Sequence, residues 1–365
     1  MKRPAVVATY LVATFLAAAC TARQAHGKGL DCAAPDDVGY ANTPRVLEPT
    51  VTAGAMAPTP GGITIAMLPD VQYYTKCRSP HLAAQLSWLA DAMSQRGVRA
   101  ALYMGDLTEH NTRDEWRWFR DQIEPFQDRL PILLATGNHD YGHNGDAHRR
   151  HTLFDNYFRA PPGVAAASLA EDKRGSIENA YYRIDLPRVT LGVLVLEWAP
   201  RASTVAWASS VLSQYAHDRV IVVTHAYLYE DSTRYDWHTR GTAQRWNPLW
   251  YDMSWLEALH DREYDGEMLW QALVRRHPGI FLVLCGHVGG TGTGLLESRG
   301  DAGNLVQQVL ANFQLLNEGG LGYLRLFEIQ PDGRSMRMET YSPSLGRFAI
   351  ADSQRAILPI EPALW

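Results

Sequence analysis

Six short apolar runs, ITIAML, RAALYM, PILLAT, VTLGVLVL, VIVVTH and IFLVLC, punctuate the chain between residues 63 and 285, each the length of a buried β-strand. Amphipathic stretches separate them. Leu82, Leu86, Leu89 and Met93 recur at helical spacing, so 82–93 is predicted as a helix with one buried face. The final third changes character: LVQQVLANFQ, GYLRLFEIQ and SMRMETYS read as consecutive antiparallel strands, with Pro331, Asp332 and Gly333 marking a turn. Alternating β/α units followed by a strand cluster predict an α/β fold, a four-layer α/β/β/α sandwich of two facing mixed sheets flanked by helices.

The periodicity lapses in three places. Residues 20–62 are rich in Ala, Pro, Thr and Gly and read as a tether into a domain spanning 63–345, after which 346–365 reads as a C-terminal tail. Residues 226–266 are polar and aromatic, with Tyr227, Tyr229, Trp237, Trp246, Trp250 and Tyr251; they form either a loop over a site or a packed surface insertion.

The chain opens on Met1, Lys2 and Arg3, followed by an apolar run from Ala5 to Ala19, the pattern of an export signal over 1–19. The expected location is periplasmic, cell-surface or secreted. Cys20 is either removed or lipidated, and lipidation is the one expected route to membrane attachment. Cys32 and Cys77 are either a disulfide pair or two free thiols, whereas Cys285 ends a buried strand.

With 365 residues, 46% of them hydrophobic, the chain can bury a large core. Its net charge of -5 supplies no general attraction to nucleic acid, so no specific nucleic-acid partner is expected and any phosphate must be held by a local site.

The candidate chemistry lies at the ends of the apolar runs. Asp70 follows ITIAML, Asp106 follows RAALYM, Asn138 and His139 follow PILLAT, His225 ends VIVVTH, and Gly286 and His287 follow IFLVLC. Ligands of open α/β sheets bind beyond the carboxyl ends of strands, so these residues are expected at one edge. Carboxylate, imidazole and amide oxygens without thiolates suit Mn, Fe or Zn, and such cations suit phosphoesters, whose charge they neutralise.

In the motifs DVQ, GDLTEHN, GNHD, VVTH and GHVGG the chain resembles the calcineurin-like metallophosphoesterase superfamily over about Ile63 to Pro343, including its ANFQ and TYSP stretches. The resemblance implies one or two divalent cations per chain. Asp106 would bridge them, Asn138, His225 and His287 would complete one site, and Asp70, Gln72 and Asp106 would serve the other. His139 would protonate the leaving oxygen or hold the phosphate, oriented by Asp140. The chain departs from the pattern at Gln72 and Gly289, where histidines are usual, so the second cation should be weakly held, harder in preference, or absent. Glu109 stands where purple acid phosphatases carry a tyrosine ligand; it is either a ligand or a carboxylate opening the next helix.

Other residues keep two readings. His143, His148 and His151, with Asn144, Arg149 and Arg150, form a phosphate-binding rim or a solvated helix face. Tyr73 and Tyr74 stack on a leaving group or pack their loop. Arg201 steadies a phosphate oxygen or joins a surface ion pair. Asn312 and Gln314 receive no role from their chemistry. The expected function is hydrolysis of a small phosphodiester or phosphomonoester by a metal-bound hydroxide; the alternative is a catalytically weakened nucleotide- or phosphate-binding protein retaining one metal. Oligomeric state is open.

Overall fold

In the computed structural model, residues 51–52, 57–160, 165–168 and 176–365 are described. The expected export signal, Cys20 and Cys32 lie outside them. Among the described residues the strands are β1 (Val51–Thr52), β2 (Ile63–Leu68), β3 (Val98–Tyr103), β4 (Ile132–Leu134), β5 (Ala165–Ser168), β6 (Ala180–Asp185), β7 (Thr190–Val195), β8 (Arg219–Val223), β9 (Ile280–Cys285), β10 (Thr293–Arg299), β11 (Leu305–Ala311), β12 (Leu324–Ile329), β13 (Ser335–Ser342), β14 (Arg347–Ala349) and β15 (Ala356–Pro359).

They form two mixed sheets. The first runs β1-β14-β13-β12-β2-β3-β4, with β15 also on β13; the second runs β10-β11-β9-β8-β7-β6-β5. In the first sheet β2, β3 and β4 are parallel and β12 is antiparallel to β2. In the second, β7, β8, β9 and β11 are parallel, with antiparallel strands at both edges.

Period-two alternation decides the layers. Val193 and Val195 of β7, Ile221 and Val223 of β8, and Leu284 of β9 share a buried cluster with Met67, Leu102 and Leu326 of the first sheet, which is the core between the sheets. The intervening Leu194, Val220, Val222 and Val283 belong to a second cluster, under the helix Ala202–Gln214 and the short helix Gly266–Ala272. A helix on the outer side of each sheet therefore completes the expected four layers.

Helix boundaries follow local chemistry. The segment α1 (Gln72–Cys77) leaves the end of β2, and Cys77 at its last position is disulfide-bonded. Helix α2 (Pro80–Arg96) begins after Ser79, whose hydroxyl accepts the His81 N–H, with Pro80 in the first turn, and ends at Gly97 in the left-handed conformation. It buries Leu82, Leu86 and Leu89 as the spacing predicts. Helix α3 (Arg113–Gln127) opens with a reciprocal capping box between Thr112 and Glu115, a device that contributes about 1 kcal/mol.

Three expectations change. LVQQVLANFQ does not join its successors: β11 pairs in parallel with β9 of the second sheet, while β12 and β13 form a hairpin in the first. A buried apolar run carries no mark of which sheet receives it. The expected tail supplies β14 and β15, both on β13, and part of the expected tether supplies β1, on β14. These pieces are too short to show periodicity and are held by backbone hydrogen bonding to a strand already in place.

Candidate metal centre

The carboxyl ends of strands from both sheets meet at one edge. Each loop there begins with the polar residue expected of it, and the loops are drawn close by glycine. A Cβ on Gly137 would come within 2.2 Å of Asp106 Oδ1, and one on Gly286 within 2.1 Å of Asp70 Oδ1. Asp106 and His287 both adopt left-handed backbone, with φ of 49° and 75°. Such conformations cost on the order of 1 kcal/mol or more and persist where surrounding contacts impose them.

Four side chains converge on one point. His225 Nδ1–H donates to the Met104 carbonyl (2.8 Å), leaving the Nε2 lone pair to face inward. His287 Nε2–H donates to the Trp246 carbonyl (2.8 Å), so its Nδ1 lone pair faces His225 Nε2 across 3.1 Å. Asn138 Oδ1 lies 3.2 Å and Asp106 Oδ2 3.3 Å from the same His225 Nε2. Asp106, His225 and His287 are all buried, and their ligand atoms lie within 4.8 Å of one another.

Two nitrogen lone pairs and two oxygens cannot face one another without a positive charge among them. A proton is one solution. Burial disfavours a charged imidazole, but Asp106 and Asp70 outweigh it and raise His225 to about 9. Burial and the neighbouring His225 push His287 down to about 3. Burial acts to raise Asp106, yet His225 and His139 hold it well below the usual carboxylate range. A divalent cation is the other solution. The donor set fits one, because both imidazoles have their outer nitrogens fixed by carbonyls and their inner nitrogens bare, the arrangement that orients histidine ligands.

Asp70 and Gln72 stand differently. The Asp70 carboxylate accepts the His287 N–H (3.0 Å to Oδ2) and the Asn312 amide N–H (2.7 Å). Burial, opposed by His225 and reinforced by Asp106, raises Asp70 to about 7. Gln72 turns its amide nitrogen inward, donating to Asp106 Oδ2 (3.2 Å) and to Gln314 Oε1. Its own Oε1 is buried with no hydrogen-bond partner among the described residues.

His139 sits beside the four-ligand cluster, its N–H on Asp106 Oδ1 (3.0 Å) and its Nδ1–H on the Glu109 carbonyl (3.0 Å). The Glu109 carboxylate lies 3.4 Å from the same Nδ1 and 3.8 Å from Lys76 Nζ. Burial works against charge on His139, but Asp106 and Glu109 raise it above the ordinary histidine value. Asp140, expected to orient this imidazole, instead accepts the backbone N–H groups of Leu107, Thr108 and Gly137 and the Thr108 hydroxyl. It ties the loop after β3 to the loop after β4, and Glu109 takes the position beside His139.

The stretch after GNHD is neither a helix nor uniformly solvated. His143–Gly145 is a single turn, and His143 stacks on His110 with ring centroids 4.5 Å apart. A Cβ on Gly145 would lie 2.8 Å from His139 Nε2, so this turn walls the site. Arg150 is buried on Glu197 (2.9 Å) and the Trp198 carbonyl (2.7 Å). Arg201 also pairs with Glu197 (3.0 Å) rather than facing the site. Tyr74 packs its loop, its oxygen accepting the Gly322 N–H.

Residues 226–266 do reach the centre: the Trp246 carbonyl holds His287, and Tyr251 packs on Trp198, whose ring contacts both His225 and His287. Sequence reading missed the carbonyls of Met104 and Trp246, since any residue can supply one. Asn312 and Gln314 were visible as polar residues ending an apolar run, the same signal that marked His225.

No family model matches the chain. It is 26% identical over 294 residues, 77% of its length, to the uncharacterized protein YvnB of Bacillus subtilis (strain 168), and spans about a fifth of that relative's length. Among solved structures it is similar to GAP50, the anchor in the inner membrane complex of Plasmodium, at 12% identity and a TM-score of 0.40, covering 83% of this chain and 90% of that one. It is also similar to the NAD nucleotidase NadN of Haemophilus influenzae, at 10% identity and a TM-score of 0.40, covering 82% and 50%. Similarity at this level assigns neither activity nor substrate.

Proposed function

We propose that this protein is a metal-dependent hydrolase of phosphoester bonds. The observation that carries the reading is the convergence of Asp106 Oδ2, Asn138 Oδ1, His225 Nε2 and His287 Nδ1, with both imidazole tautomers set by backbone carbonyls, beside a His139 whose protonated form Asp106 and Glu109 favour. A divalent cation, when bound there, supplies Lewis acidity toward a phosphoryl oxygen and toward water.

The chain's own residues supply the rest. Asp106, Asn138, His225 and His287 would hold the cation. Glu109 fixes His139 at Nδ1 and its charge favours the protonated imidazole, the disposition of a group that protonates a leaving alkoxide or holds a phosphoryl oxygen. Trp198 and the 226–266 insertion cover the imidazoles and exclude water from that side, which strengthens every charge interaction in the basin. The disulfide at Cys77 supports an exported setting, because such bonds persist in oxidising compartments.

The test is to strip the purified protein of metal and follow hydrolysis of chromogenic phosphomono- and phosphodiesters as Mn²⁺, Zn²⁺ or Fe²⁺ is returned. Turnover that rises with metal and vanishes in Asp106→Asn is expected. A second reading, a phosphate- or nucleotide-binding protein retaining one metal, is favoured by the Gln72 amide lying against Asp106. Tight nucleotide binding without turnover under any of these cations would establish it and end the hydrolase reading.

A further inference from the structure

Asp70 and Asp106 are both buried at the same edge, and the two are close enough for the charge of one to raise the other. A second cation between them would need oxygen lone pairs directed at it. The side chains at that place present N–H groups instead. Gln72 directs both hydrogens of its amide at oxygens, one at Asp106 Oδ2 and one at Gln314 Oε1. Asn312 directs its amide N–H at Asp70 Oδ2, while its Oδ1 accepts the Gln314 N–H (2.9 Å). A continuous chain of amides thus runs from Asp70 through Asn312, Gln314 and Gln72 to Asp106.

The orientation of the Gln72 amide is decided by its neighbours. Turned the other way, its carbonyl would face Asp106 Oδ2 and Gln314 Oε1, three oxygens that only a cation among them would reconcile. As placed, it makes two hydrogen bonds and leaves its own Oε1 buried and unpartnered, an arrangement costing about 1–3 kcal/mol. With the nitrogen inward, the chain fills this place with its own N–H groups and leaves one acceptor orphaned.

We propose, resting on the metal-centre reading above, that this basin takes one divalent cation per chain, and that the Gln72 amide closes the place beside Asp106 where a second would sit. Asp106 Oδ2 then serves one cation and one N–H. Asp70 is a positioning residue: through the His287 N–H it fixes the left-handed backbone that presents His287 Nδ1.

The experiment is to equilibrate the full purified chain with Mn²⁺, remove loosely bound ion, and measure manganese per chain by elemental analysis together with the low-temperature EPR spectrum. One equivalent with the sharp hyperfine pattern of an isolated Mn²⁺ is expected in the wild type. Gln72→Glu places a carboxylate where the amide donated and should raise the count to two, with exchange-broadened lines. Two equivalents and an exchange-coupled spectrum in the wild type would overturn the single-cation assignment while leaving the hydrolase reading standing. A folded Gln72→Glu variant, judged by circular dichroism, that still binds one would also overturn it. No bound manganese, zinc or iron at all would sink both readings.

Discussion

Asp70 and Asp106 leave adjacent parallel strands, β2 and β3, at the same edge of one sheet, yet their surroundings treat them in opposite ways. Asp106 is met by imidazoles that outweigh its burial and hold it well below the carboxylate range; Asp70, met by a backbone N–H and an amide, is raised to about 7 because burial, reinforced by Asp106, outweighs His225 and that N–H. Position on the sheet makes a residue available at the basin. The groups delivered opposite it, from the second sheet, decide whether it faces imidazole nitrogens or amide and backbone N–H groups.

The sharpest way to break this comparison is to neutralise each carboxylate in turn. Asp106→Asn should lower kcat/KM by about 10³-fold or more and abolish tight metal retention, because it removes charge from the cation's own shell. Comparable turnover in Asp106→Asn and wild type would remove the distinction altogether.

A third buried carboxylate, Glu197, sharpens the contrast because guanidiniums surround it. Burial acts to raise it, but Arg150 and Arg201 hold it at about 2, against 4.5 for the free side chain. A folded-state value below the unfolded one means stability that is present above pH 4.5 and lost as pH falls from there toward 2. That loss should amount to about 3 kcal/mol. Glu197→Gln should flatten this acid limb in denaturant titrations; an unchanged acid limb would show that the pair stabilises little.

Glu109→Gln should lower kcat by roughly 10-fold, the usual scale for a group acting through its neighbour. Its charge raises His139, so its removal should also move the alkaline limb of the kcat–pH profile to lower pH, because the proton donor is then lost earlier. A drop in kcat without that displacement would assign Glu109 to packing. The smallest effect is expected at Asp70→Asn, within about tenfold of wild-type kcat/KM, since an amide oxygen can still accept the His287 N–H. A loss equal to that of Asp106→Asn would mean that both carboxylates serve cations.

Much of this arrangement can be read from the order of residues. Strands such as Ile63–Leu68 and Ile280–Cys285 are unbroken apolar runs, and a polar residue at the end of each is visible as a break in the run. What the order does not carry is direction. Gln72 stands out where an imidazole is expected, but whether its nitrogen or its oxygen turns inward depends on Gln314, more than two hundred residues away. Arg150 lies in a run of histidines and arginines that reads as solvated, and only the arrival of Glu197 from the second sheet makes its burial possible. The assignment of β11 to the second sheet escapes for the same reason, since a fully buried strand looks alike in either sheet.

The hydrogen bond from His287 to the Trp246 carbonyl joins two things that could have evolved separately. Residues 226–266 hold only short helical turns, and yet one of their peptide groups holds the tautomer of an imidazole at the centre. A replacement for this insertion would inherit the obligation to present a carbonyl at that spot. Diversification of what the basin accepts is therefore tethered to upkeep of its reactivity, and grafts that ignore Trp246 should fold around a centre that has lost its grip on metal.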